Sequence, residues 1–197
     1  DEVLGEVLKD QAFYGPSGGG LTISGGEPLS QLTFTEEILR SAKERAGLHC
    51  CLDTCGHAPK DRLERVRPYV DLFLYDVKET DSNRHKTLTG VPNEQILANL
   101  ELLHDSGARV IVRLPLIAGL NDSAGHFAGV AELARRMPHL DGFEVMPYHR
   151  LGDGKLRRIG WDDHPARYHG ESTPAQTVKL WIDRLAALGV PVLNELP

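Results

Sequence analysis

Four short stretches of this sequence could bind a small charged molecule: Gly25-Gly26-Glu27, Asp53-Thr54, Asp76-Val77-Lys78 and His149. Exposed amides at Gly25 and Gly26 can meet a carboxylate or a carbonyl. Glu27 can accept from an ammonium group. Asp53, Thr54 and Asp76 supply hard oxygens, a donor set suited to a cation. Lys78 and His149 can meet an anion or a ribose. Asp76 and Lys78 stand two apart in an extended segment, so they face the same side. The "GGEP" run meets neither the spacing of a phosphate loop nor that of a dinucleotide fingerprint. No serine or cysteine sits beside a base as an activated nucleophile would. Each residue also has an ordinary reading: glycines make turns, Asp53 caps a segment, and Asp76 with Lys78 forms a rim ion pair. What raises the functional reading is that each stretch directly follows an apolar strand.

Those strands alternate with helical patterns. "LTIS", "LHCCLDT", "VDLFLYDVK", "ARVIVRLPLI", "LDGFEVMPY" and "VPVLNEL" read as strands. "EVLGEVLKDQAFY", "TFTEEILRSAKERAG", "KDRLERVRPY", "PNEQILANLELLHDSG", "SAGHFAGVAELARRM" and "TPAQTVKLWIDRLAALG" read as helices. Their caps are expected at Thr33 or Thr35, Asn93 and Thr173, with stops at Gly47 and Gly107. Alternation of this kind gives parallel βα units. Near-continuous apolar strands predict a sheet covered on both faces. No linker divides the chain, so residues 1–197 are read as one domain. In a parallel βα barrel the strand exits share one mouth, where the active site is built. The less regular stretch from Arg150 to Ser172 is expected to be a long functional loop.

Composition narrows the classes. With 41% apolar and 25% charged residues, the chain has the make-up of a soluble globular protein. No apolar run approaches the roughly 20 residues of a membrane helix. A net charge of −6 argues against nucleic acid as the main partner, although Lys155, Arg157 and Arg158 form a local basic patch. The three cysteines, Cys50, Cys51 and Cys55, are too few and too clustered for a secreted disulfide framework. A reducing, cytoplasmic setting is expected. Cys50 and Cys51 are strand neighbours and point to opposite faces, so the three are not expected to share one metal ion. Residue 1 is Asp and the only methionines are Met137 and Met146, so a processed, trimmed or fragmentary chain is expected.

Taken in order, "GGGLTISGGEPLSQ", "CLDTCG", "LFLYDVK", "LTGVPNEQILANLELL", "VIVRLPLIAGLND" and "MPYHRLGDGK" resemble the glycyl-radical-enzyme activating enzymes of the radical S-adenosylmethionine superfamily. The resemblance implies an α/β fold, a partial parallel (βα)6 TIM-like barrel. It implies reductive cleavage of S-adenosylmethionine to a 5′-deoxyadenosyl radical that abstracts hydrogen from a glycine of a partner enzyme. By resemblance, Gly25, Gly26 and Glu27 match the motif holding the methionine amino group. Asp53, Lys78 and His149 match positions around the bound S-adenosylmethionine. Asp53, Thr54 and Asp76 match a monovalent-cation site, and Leu151, Gly152 and Lys155 a signature near the partner-binding mouth. The implied partners are a glycyl radical enzyme and a reductant such as flavodoxin or ferredoxin, with a monomer as the usual form. The family's CxxxCxxC motif, which holds its 4Fe–4S cluster, is absent from this sequence. None of the three cysteines matches a cluster ligand. The first strand and the cluster loop are therefore expected to be missing, and the chain by itself is expected to lack activase activity. The "LTISG" strand is expected to be left as an open edge.

Two other readings compete. One is a non-catalytic barrel remnant that binds S-adenosylmethionine or docks a partner through the Arg150 to Ser172 loop. The other is a barrel lyase using Lys78 as a Schiff-base amine. Asp76 argues against the latter, because a nearby carboxylate favours the charged amine.

Overall fold

The computed structural model describes residues 2–149 and 170–194. Five parallel strands follow chain order across one sheet: β1 (Gly20–Ile23), β2 (His49–Thr54), β3 (Leu72–Asp76), β4 (Val110–Leu116) and β5 (Gly142–Pro147). Helices α1 (Glu2–Val7) and α2 (Gln11–Ser17), joined by a short 3-10 turn at Leu8–Asp10, lead into β1. The crossovers carry α3 (Leu32–Ala46), α4 (Lys60–Val66), α5 (Ser82–Thr89), α6 (Glu94–Asp105) and α7 (Ala124–Arg136). Helix α8 (Ala175–Ala187) follows β5. Each crossover returns to the next strand in sequence, as parallel pairing requires.

The core lies between the sheet and its helices. Alternate strand residues Cys50, Leu52, Phe73, Tyr75, Val112, Leu114 and Val145 are fully or almost fully buried there. They meet Leu39, Leu63, Leu100, Leu103, Phe127 and Leu185 from the helices. Burial of each such side chain stabilises the fold by roughly 1.5–3 kcal/mol. The other parity does not share that cover. Cys51, Asp53, Leu74, Asp76, Ile111, Arg113, Glu144 and Met146 are half-buried or more open, so β2 and β3 alternate buried and half-buried along their length. The expectation of a sheet covered on both faces is therefore corrected. Apolar residues occupy both parities, but among the described residues only one parity packs under helices, and the other keeps its polar groups partly exposed. β1 stands at one edge of the described sheet.

Several local expectations also change. "VPVLNEL" makes a single bridge, Val192 beside Phe143, rather than a strand among the described residues. Helix α3 starts at Leu32 with Gln31 at its cap, because the Thr35 hydroxyl donates to the Pro28 carbonyl at 2.8 Å instead. Pro174, not Thr173, caps α8. Asn93 holds the cap position of α6, but its side chain makes no capping bond. Helix α5 has no counterpart in the sequence reading. It carries little apolar periodicity and is set by its ends: Asp81 accepts from the Arg84 amide at 2.8 Å, and Gly90 closes it. No described helix is long and apolar enough to cross a membrane.

Candidate functional site

The carboxyl ends of β2 to β5 open onto a cavity of about 350 Å³. Asp53, Asp76, Arg113, Ile117, Met146 and His149 help to line it, so three of the residues singled out from sequence do converge. The centre of the array is Arg113, which sequence reading left inside an apolar strand. Its side chain is only 18% exposed and reaches across β3 to donate from Nη1 to Asp53 Oδ2 at 2.9 Å. The same Asp53 oxygen accepts from the Ser24 hydroxyl at 3.0 Å, which ties in the exit of β1. Arg113 Nε is buried without a hydrogen-bond partner among the described residues, and the Glu144 carboxylate stands 3.6 Å away. A buried guanidinium N–H left over in this way is a place for a ligand acceptor or a water.

Gly25 and Gly26 lie exposed at the exit of β1. Gly25 has a φ of +128°, a backbone that side-chain-bearing residues rarely adopt, and open space where a Cβ would stand. The neighbouring Glu27 carboxylate is occupied by protein donors. Oε1 accepts from the Leu29 amide at 3.0 Å and the Thr54 hydroxyl at 2.7 Å. Oε2 accepts from the Cys55 amide at 3.0 Å and the Cys55 thiol at 3.1 Å. Glu27 thus clamps the β1 exit to the β2 exit. Thr54 is buried, and its hydroxyl also accepts from the Gly56 amide at 2.9 Å. Of the candidate cation ligands, Asp53 and Asp76 line the cavity, while the Thr54 hydroxyl is committed to Glu27.

Lys78 stands beside the mouth with Nζ 3.2 Å from Asp76 Oδ2. A nitrogen held in an ion pair is not the setting of a Schiff-base nucleophile. The loop behind Lys78 is fixed by buried side chains. Glu79, with no exposed side-chain surface, accepts from the Thr80 and Asp81 amides at 2.8 and 3.2 Å and from Arg84 Nε at 2.9 Å. His126 Nδ1 lies 3.2 Å from its carboxylate. Burial pushes the Glu79 carboxyl up, but the His126, Arg84 and Asp81 hydrogen bonds outweigh it and hold it at about 2. Asn93 donates to the Glu79 and Thr80 carbonyls at 2.9 and 3.0 Å, which is why it does not cap α6. Arg84 also donates to the Leu120 carbonyl at 2.8 Å, joining this loop to the one after β4.

The cysteines do not fit a 4Fe–4S cluster. Cys50 is buried on the helix side of β2, and Cys51 lies half-buried on the opposite side. Burial raises all three thiols, Cys50 to about 11, whereas iron is held by thiolates. No group of three or more His, Cys, Asp or Glu among the described residues is arranged to hold a metal ion. The residues fit S-adenosylmethionine better: two acids and a partly unpartnered guanidinium face one cavity, with the Lys78 ammonium paired to one of the acids and open glycine backbone at the exit of β1. Arg150 and the residues through Tyr168 and His169, including Leu151, Gly152, Lys155, Arg157 and Arg158, lie outside the described residues.

Named relatives carry a common theme. The chain is 41% identical to a choline trimethylamine-lyase activating enzyme of Oleidesulfovibrio alaskensis, over 88% of this chain and 55% of that protein. It is 44% identical to an isethionate sulfite-lyase activating enzyme of Nitratidesulfovibrio vulgaris, over 79% of this chain and 50% of that protein. A pyruvate formate-lyase-activating enzyme of Staphylococcus aureus matches at 36% over 81% and 66%. The chain thus spans about half the length of the first two. Among solved structures, a domain of pyruvate-formate lyase-activating enzyme from Bacteroides vulgatus superposes with a TM-score of 0.71 at 28% identity, covering 88% of this chain and 97% of that one. The family model of the radical SAM superfamily matches residues 1–130, well over half of the sequence, and the chain belongs to that superfamily.

Proposed function

We propose that this chain is the S-adenosylmethionine-holding part of a glycyl-radical-enzyme activating enzyme, acting on a glycyl radical lyase in the cytoplasm. The observation that carries the reading is the convergence of Asp53, Asp76, Arg113 and His149 on one cavity, with Lys78 paired to Asp76 and the Gly25 and Gly26 backbone exposed at the exit of β1. S-adenosylmethionine, when bound, supplies the 5′-deoxyadenosyl group used to take hydrogen from a glycine of the partner enzyme. In this reading the Gly25 and Gly26 backbone meets the amino-acid end of the ligand. Glu27 does not touch the ligand through its carboxylate; it holds the two glycines and the Asp53-Thr54-Cys55 turn in register. Asp53 and Asp76 offer oxygens to a monovalent cation beside the ligand carboxylate, with Thr54 contributing through its backbone. Lys78 and His149 meet the ribose and adenine end. Arg113 balances the acids, which would otherwise repel the ligand carboxylate. A one-electron donor such as flavodoxin or ferredoxin serves the full enzyme.

Calorimetric titration of S-adenosylmethionine into the chain tests the site. Lys78→Ala and Asp53→Asn are each expected to weaken binding by about 10- to 100-fold, the worth of one charge-assisted hydrogen bond of roughly 1.5–3 kcal/mol. Lys43→Ala, removing an ion pair with Asp71 at the other end of β2 and β3, is expected to leave binding unchanged. Equal affinity in the parent, Lys78→Ala and Asp53→Asn would remove the site from the mouth.

A further inference from the structure

We infer that Asn121 is a positioning residue for this site: its buried carboxamide stands in for a missing piece of β-ladder and so sets Lys78 against the opposite wall of the cavity. The inference deepens the S-adenosylmethionine reading and rests on it for its ligand.

The need for such a group is visible in the register. β3 pairs with β4 as far as Asp76 beside Arg113, and the Val77 amide makes the next bond, to the Arg113 carbonyl at 2.9 Å. There β3 turns away towards α5, while β4 runs on beside β5 through Leu116. Beyond Arg113, β4 has therefore lost its β3 partner. Two features of the sequence meet this loss. Pro115 has no N–H to leave unpaired. Asn121, 5% exposed, fills the gap with a side chain that is chemically one more peptide group. Its Nδ2 donates to the Lys78 carbonyl at 2.6 Å and to the Pro115 carbonyl at 2.7 Å. Its Oδ1 accepts from the Ile117 amide at 2.8 Å. Both amide hydrogens and the oxygen are used, and the opposite orientation of the carboxamide would face nitrogen to N–H and oxygen to two carbonyls.

The three partners are the two sides of the mouth. Lys78 carries the amine that pairs with the cavity-lining Asp76 on one side, and Pro115 and Ile117 line the cavity on the other. The remaining backbone groups of the Lys78 loop are held by Glu79, Asn93 and His126 from behind. Asn121 alone among these reaches Lys78 itself. It is not among the residues lining the cavity, so it acts on a ligand through Lys78 and not directly, with Pro115 and Ile117 serving as its anchor.

Asn121→Asp is the sharpest test, because it keeps the shape and the acceptor for Ile117 but removes both donors and sets a carboxylate against two carbonyls. Asn121→Ser, which leaves room for a water, serves as a second variant. Amine acetylation mapped by mass spectrometry reads the position of Lys78 without any ligand. The Lys78 rate is expected to rise several-fold in either variant as the Asp76 pair loosens, with Lys60 and Lys86 unchanged. A general loss of stability would raise all lysines together. An unchanged Lys78 rate in a folded variant would overturn the inference. The ligand arm uses S-adenosylmethionine itself. Asn121→Asp is expected to weaken its binding about tenfold in the parent background and not at all in a Lys78→Ala background. Equal weakening in both backgrounds would overturn the proposed route through Lys78. A rise in Lys78 acetylation together with no S-adenosylmethionine binding by the parent would uphold the positioning role and sink the ligand reading instead.

Discussion

Gly56→Ala is expected to cost about 3–5 kcal/mol of folding stability. Gly56 has a φ of +66°, and a Cβ there would stand 1.7 Å from the Tyr75 hydroxyl oxygen. The left-handed backbone costs a side-chain-bearing residue roughly 1–3 kcal/mol, and overpacking adds about 1–3 kcal/mol. Tyr75 has nowhere to go: it is fully buried and its hydroxyl donates to the Ile96 carbonyl at 2.7 Å. The Gly56 carbonyl is itself fixed by Asn99 at 2.8 Å. In a chain of this size each kcal/mol moves the melting temperature by about 2–4 °C, so thermal unfolding should show a drop of roughly 6–20 °C. Tyr75→Phe in the same chain removes the clashing oxygen and should recover part of the loss, a non-additivity expected of neighbours. A Gly56→Ala variant within about 1 kcal/mol of the parent by urea denaturation would contradict the tight packing of this turn. The turn matters because it follows Asp53 and is held by Glu27, so the stability cost and the site geometry share one set of contacts.

The second large effect concerns Glu79. Its folded-state carboxyl is held at about 2, against an ordinary 4.5. A depressed carboxyl contributes stability that is fully present above the unfolded value and is lost as pH falls through the folded one. For Glu79 the window runs from about pH 4.5 down to about pH 2, and the contribution is on the order of 3 kcal/mol. Asp71 is also held low by Lys43 and the Cys50 amide against its own burial, so the parent curve alone does not isolate Glu79. The difference between the parent and Glu79→Gln does. Unfolding free energy measured from pH 7 to pH 2 should fall less steeply in Glu79→Gln, with the two curves converging only as the pH approaches about 2. Near neutral pH the variant should be roughly 3 kcal/mol less stable, since Arg84 and His126 lose a buried partner. Parallel curves would show that Glu79 does not carry the acid sensitivity.

The alternation of strands and helices was legible because apolar runs and helical spacing are local signals. The positions of Asp53, Asp76 and Lys78 at strand exits followed from the same reading, and their place at one mouth followed from parallel topology. Arg113 was not legible in the same way. Within "VIVRLPLI" it looks like an interruption of a core strand, and only the register of β2, β3 and β4 reveals that its guanidinium reaches Asp53, 60 residues away in sequence. Parity held a clue, since Arg113 shares a face with Ile111, Pro115 and Ile117 rather than with the buried Val112 and Leu114. Glu79 was missed for a related reason. An acid after Lys78 reads as solvated loop, and its burial depends on His126, 47 residues later on α7. Glu27 was placed at the site, but its carboxylate turned out to serve the protein, because Thr54 and Cys55 arrive from β2 with three donors. Among the described residues the covering of the sheet differs from that expectation, because apolar composition on both parities does not say which parity meets helices.

S-adenosylmethionine is expected to touch this chain at the carboxyl ends of its strands. Amide chemical-shift mapping on the isotope-labelled chain, during titration with S-adenosylmethionine, locates the contact directly. The predicted result is shifts concentrated at Gly25, Gly26, Cys55, Lys78 and Ile117, at the carboxyl ends of the strands. Shifts confined to the opposite end of the sheet, around His49 and Arg109, or no shift at the mouth at saturating ligand, would contradict it.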